Sequence, residues 1–196
     1  NGTYKFNGRT IRDHNAQSGG YGTITVAQSI WYSSNVSIAK IVLKGYGNNP
    51  RKFIEGLHRT GIDADLNLDI AGAGHAKIRQ PGDPQWSRMT LPWMSFGYEV
   101  QIPPINTLAF FNAIANDGRM MRPMFVKSIM RGSKELRVYE PEVLIPEICS
   151  KRTLKAVQEM MYNVVNHKDG TSKPARSSVV SIVGKTGTAQ IAASKA

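Results

Sequence analysis

At 196 residues, with 41% hydrophobic and 20% charged side chains, the sequence carries enough apolar content for an ordinary folded domain and too much for a disordered chain. Its net charge of +11 favours encounter with anionic polymers or surfaces, but the basic residues (Arg51, Lys52, Arg119, Arg122, Lys151, Arg152) are scattered and form no nucleic-acid motif, so nucleic acid is not an expected partner. Cys149 is the single cysteine, which excludes an intrachain disulfide, and no apolar run approaches the roughly 18 residues of a membrane span.

No repeat or low-complexity tract interrupts the chain. Thr25 to Gln28 forms a T-x-x-Q capping box, which predicts a short helix over "VAQSIWY" ending at Ser33. A second helix is expected from Asn35 to about Lys44, with Val36, Ile38, Ala39, Val42 and Leu43 on one face and Ser37, Lys40 and Lys44 on the opposite stripe. A third runs from Asn49-Pro50 to Gly61. Residues 63 to 103 are rich in Gly and Pro and read as a loop excursion. Helix is expected again from Pro104 to Asn116, a hairpin from "MFVKSIM" and "ELRVY" around "RGSK", and a helix capped by Ser150 through Val165. The β-branched run at 179–190 predicts a strand. These elements give an α/β or α+β class, with the sheet incomplete within the chain.

Two short stretches carry chemistry. "VGKTGTAQ" at 183–190 ends like a phosphate-binding loop, but the glycine required five residues before Gly184 is Val179. On a strand edge, K-T-G serves a different end. Lys185 supplies a fixed cation, Thr186 and Thr188 can hold a carboxylate, and Gly187 lets a substrate backbone lie close. "YSSNVSIAK" at 32–40 overlaps S-x-N (Ser33, Asn35) with S-x-x-K (Ser37, Lys40). In a turn between helices, Ser33 can relay a proton while the Asn35 amide binds a substrate carbonyl, although a helix cap accounts for the same pair taken alone. His14, His58, His75 and His167 have no ligand spacing, so no metal or other cofactor is expected, and Met120, Met121, Met160 and Met161 read as core filler.

In this order, S-x-N and K-T-G resemble the second and third motifs of the penicillin-binding protein and β-lactamase group of serine acyltransferases. "TITVAQSIWYSSNVSIAKI", "LPWMSFGYEVQIPPINTLAFFNAIANDGRMMRPMFV" and "VGKTGTAQ" extend the resemblance over most of residues 13 to 190. The similarity is to the transpeptidase domain of class B penicillin-binding proteins, nearest the division type.

The resemblance implies an antiparallel sheet flanked by helices and a D,D-transpeptidase that cross-links peptidoglycan stem peptides and binds β-lactam antibiotics. It implies Ser33 as proton relay, Asn35 as substrate anchor and Lys185 as the electrostatic partner of Ser33. Thr186, Gly187 and Thr188 would bind the substrate, with the Thr188 N–H as half of an oxyanion hole, and Phe96 and Tyr98 match aromatic positions of the cleft. The family's nucleophilic S-x-x-K lies upstream of S-x-N on a helix of its own. Here the lone S-x-x-K, Ser37 to Lys40, follows S-x-N and sits on a polar stripe, where a lysine is not neutral enough to act as base. Residues 1–196 are therefore expected to be part of a transpeptidase domain whose serine and lysine precede Asn1 and whose last strands and helix follow Ala196, and the fragment itself is expected to be inactive. The family's setting further implies an inner-membrane anchor, a domain on the periplasmic side, and divisome or wall-synthesis membrane proteins as partners. A β-lactamase or β-lactam sensor and a non-catalytic wall-peptide module are the competing readings.

Overall fold

Local sequence signals explain most elements of the structure, a computed structural model that describes residues 2–68 and 70–187. Strands β1 (Thr3–Phe6) and β2 (Arg9–Arg12) precede helices α1 (Val26–Trp31), α2 (Asn35–Tyr46) and α3 (Pro50–Thr60). There follow β3 (Lys77–Ile78), α4 (Thr90–Met94), β4 (Val100–Gln101), α5 (Pro104–Ala115) and β5 (Met120–Met121). Strands β6 (Ser128–Arg131), β7 (Lys134–Val138) and β8 (Val143–Ile145) and helix α6 (Lys151–Asn166) complete the described set. The chain divides into two compact units, Asn1–Ile41 with Val157–Ala196, and Val42–Ala156.

The first unit begins with a hairpin. Asn7 and Gly8 both adopt positive φ (45° and 74°), the handedness that matches the twist of paired strands, and they set β1 against β2 from Thr3↔Arg12 to Phe6↔Arg9. Helix α1 opens on the expected capping box: Thr25 Oγ1 accepts from the Gln28 N–H, and Gln28 Oε1 accepts from the Thr25 N–H. The buried apolar side chains of this first unit are Ile11, Val36, Ala39, Met161, Val164 and Val165 among the described residues. The chain beyond α6 is strapped to the end of that helix. Arg176 donates to the carbonyls of Val165, Asn166 and His167, groups that a helix C-terminus otherwise leaves without partners.

In the second unit, α3 starts at Pro50 and stops at Gly61, whose φ of +71° is left-handed. Its core draws on Ile54, Met94, Ala109, Ala113, Ile114, Met120 and Leu154. The β6–β7 hairpin pairs Ser128↔Val138 through Arg131↔Lys134, with a bulge between Ile129 and Met130.

The strands are antiparallel and the sheet is incomplete, as expected: the described residues form four two-stranded antiparallel sheets, β1–β2, β3–β4, β5–β8 and β6–β7. Two other expectations need correction. The excursion at 63–103 is not all loop, since Thr90–Met94 is a helix whose Thr90, Leu91, Pro92 and Met94 are buried. The expected strand at 179–190 is absent over 179–187, and its last residues, 188–190, lie outside the described residues. β-branched side chains favour an extended backbone, but a strand needs a neighbour, and here the backbone partners come from α6. The Gly184 N–H donates to the Met161 carbonyl (3.3 Å), and Asn166 Nδ2 donates to the Ile182 carbonyl (2.9 Å).

The return from α6 depends on Gly170, which is buried with its α-carbon against the helix end; a Cβ there would collide with the carbonyl oxygens of Asn163 and Val164. Gly170→Ala is expected to destabilise the chain by about 1–3 kcal/mol, the range for forcing an extra methyl into a packed site. A lowered urea midpoint at unchanged slope would register it, and an unchanged midpoint would show that the strap is not this tight.

Candidate active site

A turn between two helices builds one side of the site. The Ser33 N–H still donates to Ile30 O (3.1 Å) at the end of α1, and the Ser34 N–H reaches back to Ser29 O (3.0 Å). Ser33 itself has φ +53°, a left-handed conformation that costs a non-glycine residue about 1–2 kcal/mol and lets the chain enter α2 at Asn35 within two residues. Neighbouring bonds hold this conformation. Asp13, directly after β2 and 6% exposed, accepts the Ser34 hydroxyl on Oδ2 and the Val36 N–H on Oδ1, both at 2.9 Å. Ser34 Oγ in turn accepts the Ser37 N–H (3.0 Å), and Asn35 Nδ2 donates to the Arg12 carbonyl (3.2 Å). Together these bonds satisfy the first N–H groups of α2.

The other side comes from the extended segment carried by α6. Lys185 Nζ donates to Ser33 Oγ at 2.7 Å although 152 positions separate the two residues. The same ammonium donates to the Thr186 carbonyl (2.9 Å) and lies 3.3 Å from Thr186 Oγ1, which is itself 3.3 Å from Thr171 Oγ1. Burial pulls the Lys185 pKa below the ordinary 10.5. The residue as a whole stays open to solvent. A cation and the hydroxyls of Ser33, Thr186 and Thr171 are thus drawn together, groups of the kind suited to a carboxylate or an oxyanion.

The structure therefore brings together Ser33, Lys185 and Thr186. Gly187 is next to them and exposed, and a Cβ there would meet no atom within 4 Å. Asn35 is at the same turn, but its amide is bonded to the Arg12 carbonyl. Thr188 lies outside the described residues. Tyr98 belongs to the second unit, where its ring packs at 5.6 Å against Phe96 and 6.4 Å against Trp93. The competing S-x-x-K is not arranged as a nucleophile with its base: Lys40 is exposed and holds its ammonium 5.0 Å from the centre of the Tyr4 ring, while Ser37 is half-buried behind the Ser34 cap.

Sequence reasoning missed Asp13, Arg12 and Thr171. The first two were findable, because Asn7-Gly8 between "TYKF" and "RTIR" is a strong hairpin signal and places Asp13 just past its second strand. Thr171 has no comparable local signal.

The family model for the penicillin binding protein transpeptidase domain matches residues 1–196. The chain belongs to this family. The transpeptidase family member described here is 26% identical over 194 residues to the probable peptidoglycan D,D-transpeptidase PbpC of Pseudomonas aeruginosa, with 99% of the chain and 31% of that relative covered. It is also 26% identical over 195 residues to penicillin-binding protein PbpB of Mycolicibacterium smegmatis, covering 96% of the chain and 29% of that relative. It spans less than a third of the length of either. Among solved structures, the apo transpeptidase domain of Burkholderia pseudomallei penicillin-binding protein 3 superposes with a TM-score of 0.80 at 26% identity, covering all of this chain and 54% of that one. The mixed α/β class is thus that of penicillin-binding protein transpeptidase domains.

The position of Lys185 in this transpeptidase domain has a measurable signature. Its side-chain carbon resonances are expected to titrate below the ordinary lysine value of 10.5. Between the folded value and 10.5 the unfolded chain binds more protons than the folded one, so stability rises with pH across that window. Titration of Lys185 at or above 10.5 would contradict this desolvation.

Proposed function

We propose that this chain forms the substrate-positioning part of a peptidoglycan D,D-transpeptidase that acts by serine acyl transfer on stem peptides ending in D-Ala-D-Ala and is blocked by β-lactams. The observation that carries the reading is the 2.7 Å bond from Lys185 Nζ to Ser33 Oγ, which unites the S-x-N and K-T-G motifs at one point. In acyl transfer a serine oxygen bonds to the penultimate D-Ala carbonyl and the bond to the terminal D-Ala amine breaks. The acyl group then passes to an amine of a second stem.

Each residue has a definite part in this reading. Lys185 and the Thr186 hydroxyl attract the terminal carboxylate of the donor, helped by Thr188. Gly187 leaves room for the donor backbone. Ser33, kept polarised by the Lys185 ammonium, passes a proton toward the departing amine, and Asn35 turns its amide from the Arg12 carbonyl to a donor carbonyl when substrate enters. Tyr98 as a substrate contact rests on the family resemblance alone. Acylation requires a serine that residues 1–196 do not supply, since Ser37 has no lysine poised beside it. The same reading places the domain on the periplasmic side of the inner membrane, beside wall-synthesis or divisome membrane proteins. Among the described residues no helix is long and apolar enough to cross a membrane.

Calorimetry of the chain with an N-acylated peptide ending in D-Ala-D-Ala tests the proposal. Weak reversible binding is expected, reduced about tenfold or more in Lys185→Ala through loss of a charge-assisted contact. Binding should also decline on the alkaline side before pH 10.5, because Lys185 gives up its proton earlier than an ordinary lysine. Fluorescent penicillin should leave no covalent label on the bare chain. A label mapped to Ser33 or Ser37 would overturn the assignment, and peptide binding indifferent to Lys185→Ala would remove the substrate site.

A further inference from the structure

We propose that Asp13 is a positioning residue for the site: its carboxylate, seated at the end of the β1–β2 hairpin, holds the turn that presents the Ser33 hydroxyl to Lys185. The consequence for substrate rests on the transpeptidase reading above, whereas the positioning itself does not. Asp13 touches neither Ser33 nor Lys185. Its Oδ2 accepts from Ser34 Oγ and its Oδ1 from the Val36 N–H, each at 2.9 Å, so the residue after Ser33 and the first turn of α2 are bound to one rigid group.

Three observations support more than a capping role. First, Asp13 is 6% exposed, and a buried carboxylate is retained only where its lone pairs are filled, so displacement of the turn would strand a desolvated charge. Second, the residue that needs holding is strained: Ser33 at φ +53° has an αR or β alternative of lower intrinsic energy, and either would swing its hydroxyl away from Lys185. Third, the hairpin binds the turn at consecutive points, since the Arg12 carbonyl next to Asp13 accepts from Asn35 Nδ2. The hairpin is itself tied back, the Asp13 N–H donating to Gly2 O at 2.9 Å. Around the carboxylate, Tyr21 feels its charge: the Tyr21 pKa is raised by burial first and by Asp13 second, and the Tyr21 hydroxyl pairs with His14 Nε2 at 2.9 Å. The Tyr21 hydroxyl is thus paired with His14, and the Asp13 oxygens keep their bonds to the turn.

A double-mutant cycle read by lysine side-chain NMR tests this on the chain itself, without ligand. In the parent background, Ser33→Ala removes the hydroxyl acceptor of the Lys185 ammonium and is expected to lower the Lys185 titration midpoint by about half a pH unit or more. In an Asp13→Ala background, Ser33 has already left its place, so adding Ser33→Ala should move the midpoint by less than half as much. Asp13→Asn keeps an acceptor for the Val36 N–H and should restore most of the coupling. If Asp13→Ala does not fold by circular dichroism, Ser34→Ala, which deletes the donor to Oδ2 together with the acceptor of the Ser37 N–H, takes its place with the same expectation. Equal Ser33→Ala shifts in the parent and in the folded Asp13→Ala or Ser34→Ala background would overturn the proposal. A separate arm measures affinity for the peptide ending in D-Ala-D-Ala, expected to fall about tenfold in Asp13→Ala and less than threefold in Asp13→Asn. Loss of coupling in a chain that binds no peptide would uphold the positioning role and reject the substrate reading. Peptide binding with coupling intact in every Asp13 and Ser34 variant would do the reverse.

Discussion

A single buried carboxylate organises the first unit. Asp13 sits where β2 ends, and its two oxygens take up the Ser34 hydroxyl and the Val36 N–H. Without such an acceptor the α1–α2 turn would contain a buried hydroxyl and a helix-terminal N–H with no partner, each a loss of about 1–3 kcal/mol. With it, the turn accommodates a left-handed Ser33 and still begins a helix two residues later.

The opposite wall is built by a different device. The segment with Lys185 has no sheet to lie in among the described residues, and it is positioned by helix ends and short polar contacts: Gly184 to Met161, Ile182 to Asn166, Thr186 to Thr171. Arg176 fills the terminal carbonyls of α6, and Gly170 brings the backbone against that helix where no side chain fits. Lys185 thus reaches Ser33 from a segment held by mixed backbone and side-chain bonds to α6 and the loop after it, and burial lowers its pKa. A desolvated ammonium attracts an anionic ligand more strongly than a hydrated one, which is what a carboxylate-binding site requires.

The S-x-x-K at Ser37 illustrates why a motif must be judged by placement. On the helical wheel its serine and lysine lie on the polar stripe, and in the structure Lys40 points its charge at the Tyr4 ring in solvent. A base needs a neutral amine, and an exposed ammonium over an aromatic face is stabilised as the cation. S-x-N, which begins four residues earlier at Ser33, is joined instead to the K-T-G lysine.

By itself the sequence determined every helix but α4 and marked the two motifs from which the candidate site is built. Capping boxes, proline starts and glycine stops are local, so α1, α2, α3, α5 and α6 were legible from neighbouring residues, and Ser33, Lys185 and Thr186 were legible because their motifs are short and ordered. The β1–β2 hairpin was equally local and announced by Asn7-Gly8, but it was not recognised. Only the tertiary structure decided what surrounds the motifs. Whether a β-branched run at 179–187 becomes a strand depends on a neighbouring strand, not on its own side chains, and the α6 carbonyl and amide that it meets lie 16 to 23 residues away. The role of Asp13 likewise depends on partners 21 and 23 residues on, through bonds whose existence no local propensity encodes. Propensity acts within a few residues, whereas burial and hydrogen-bond satisfaction act across the whole fold; the latter put a left-handed serine opposite a desolvated lysine.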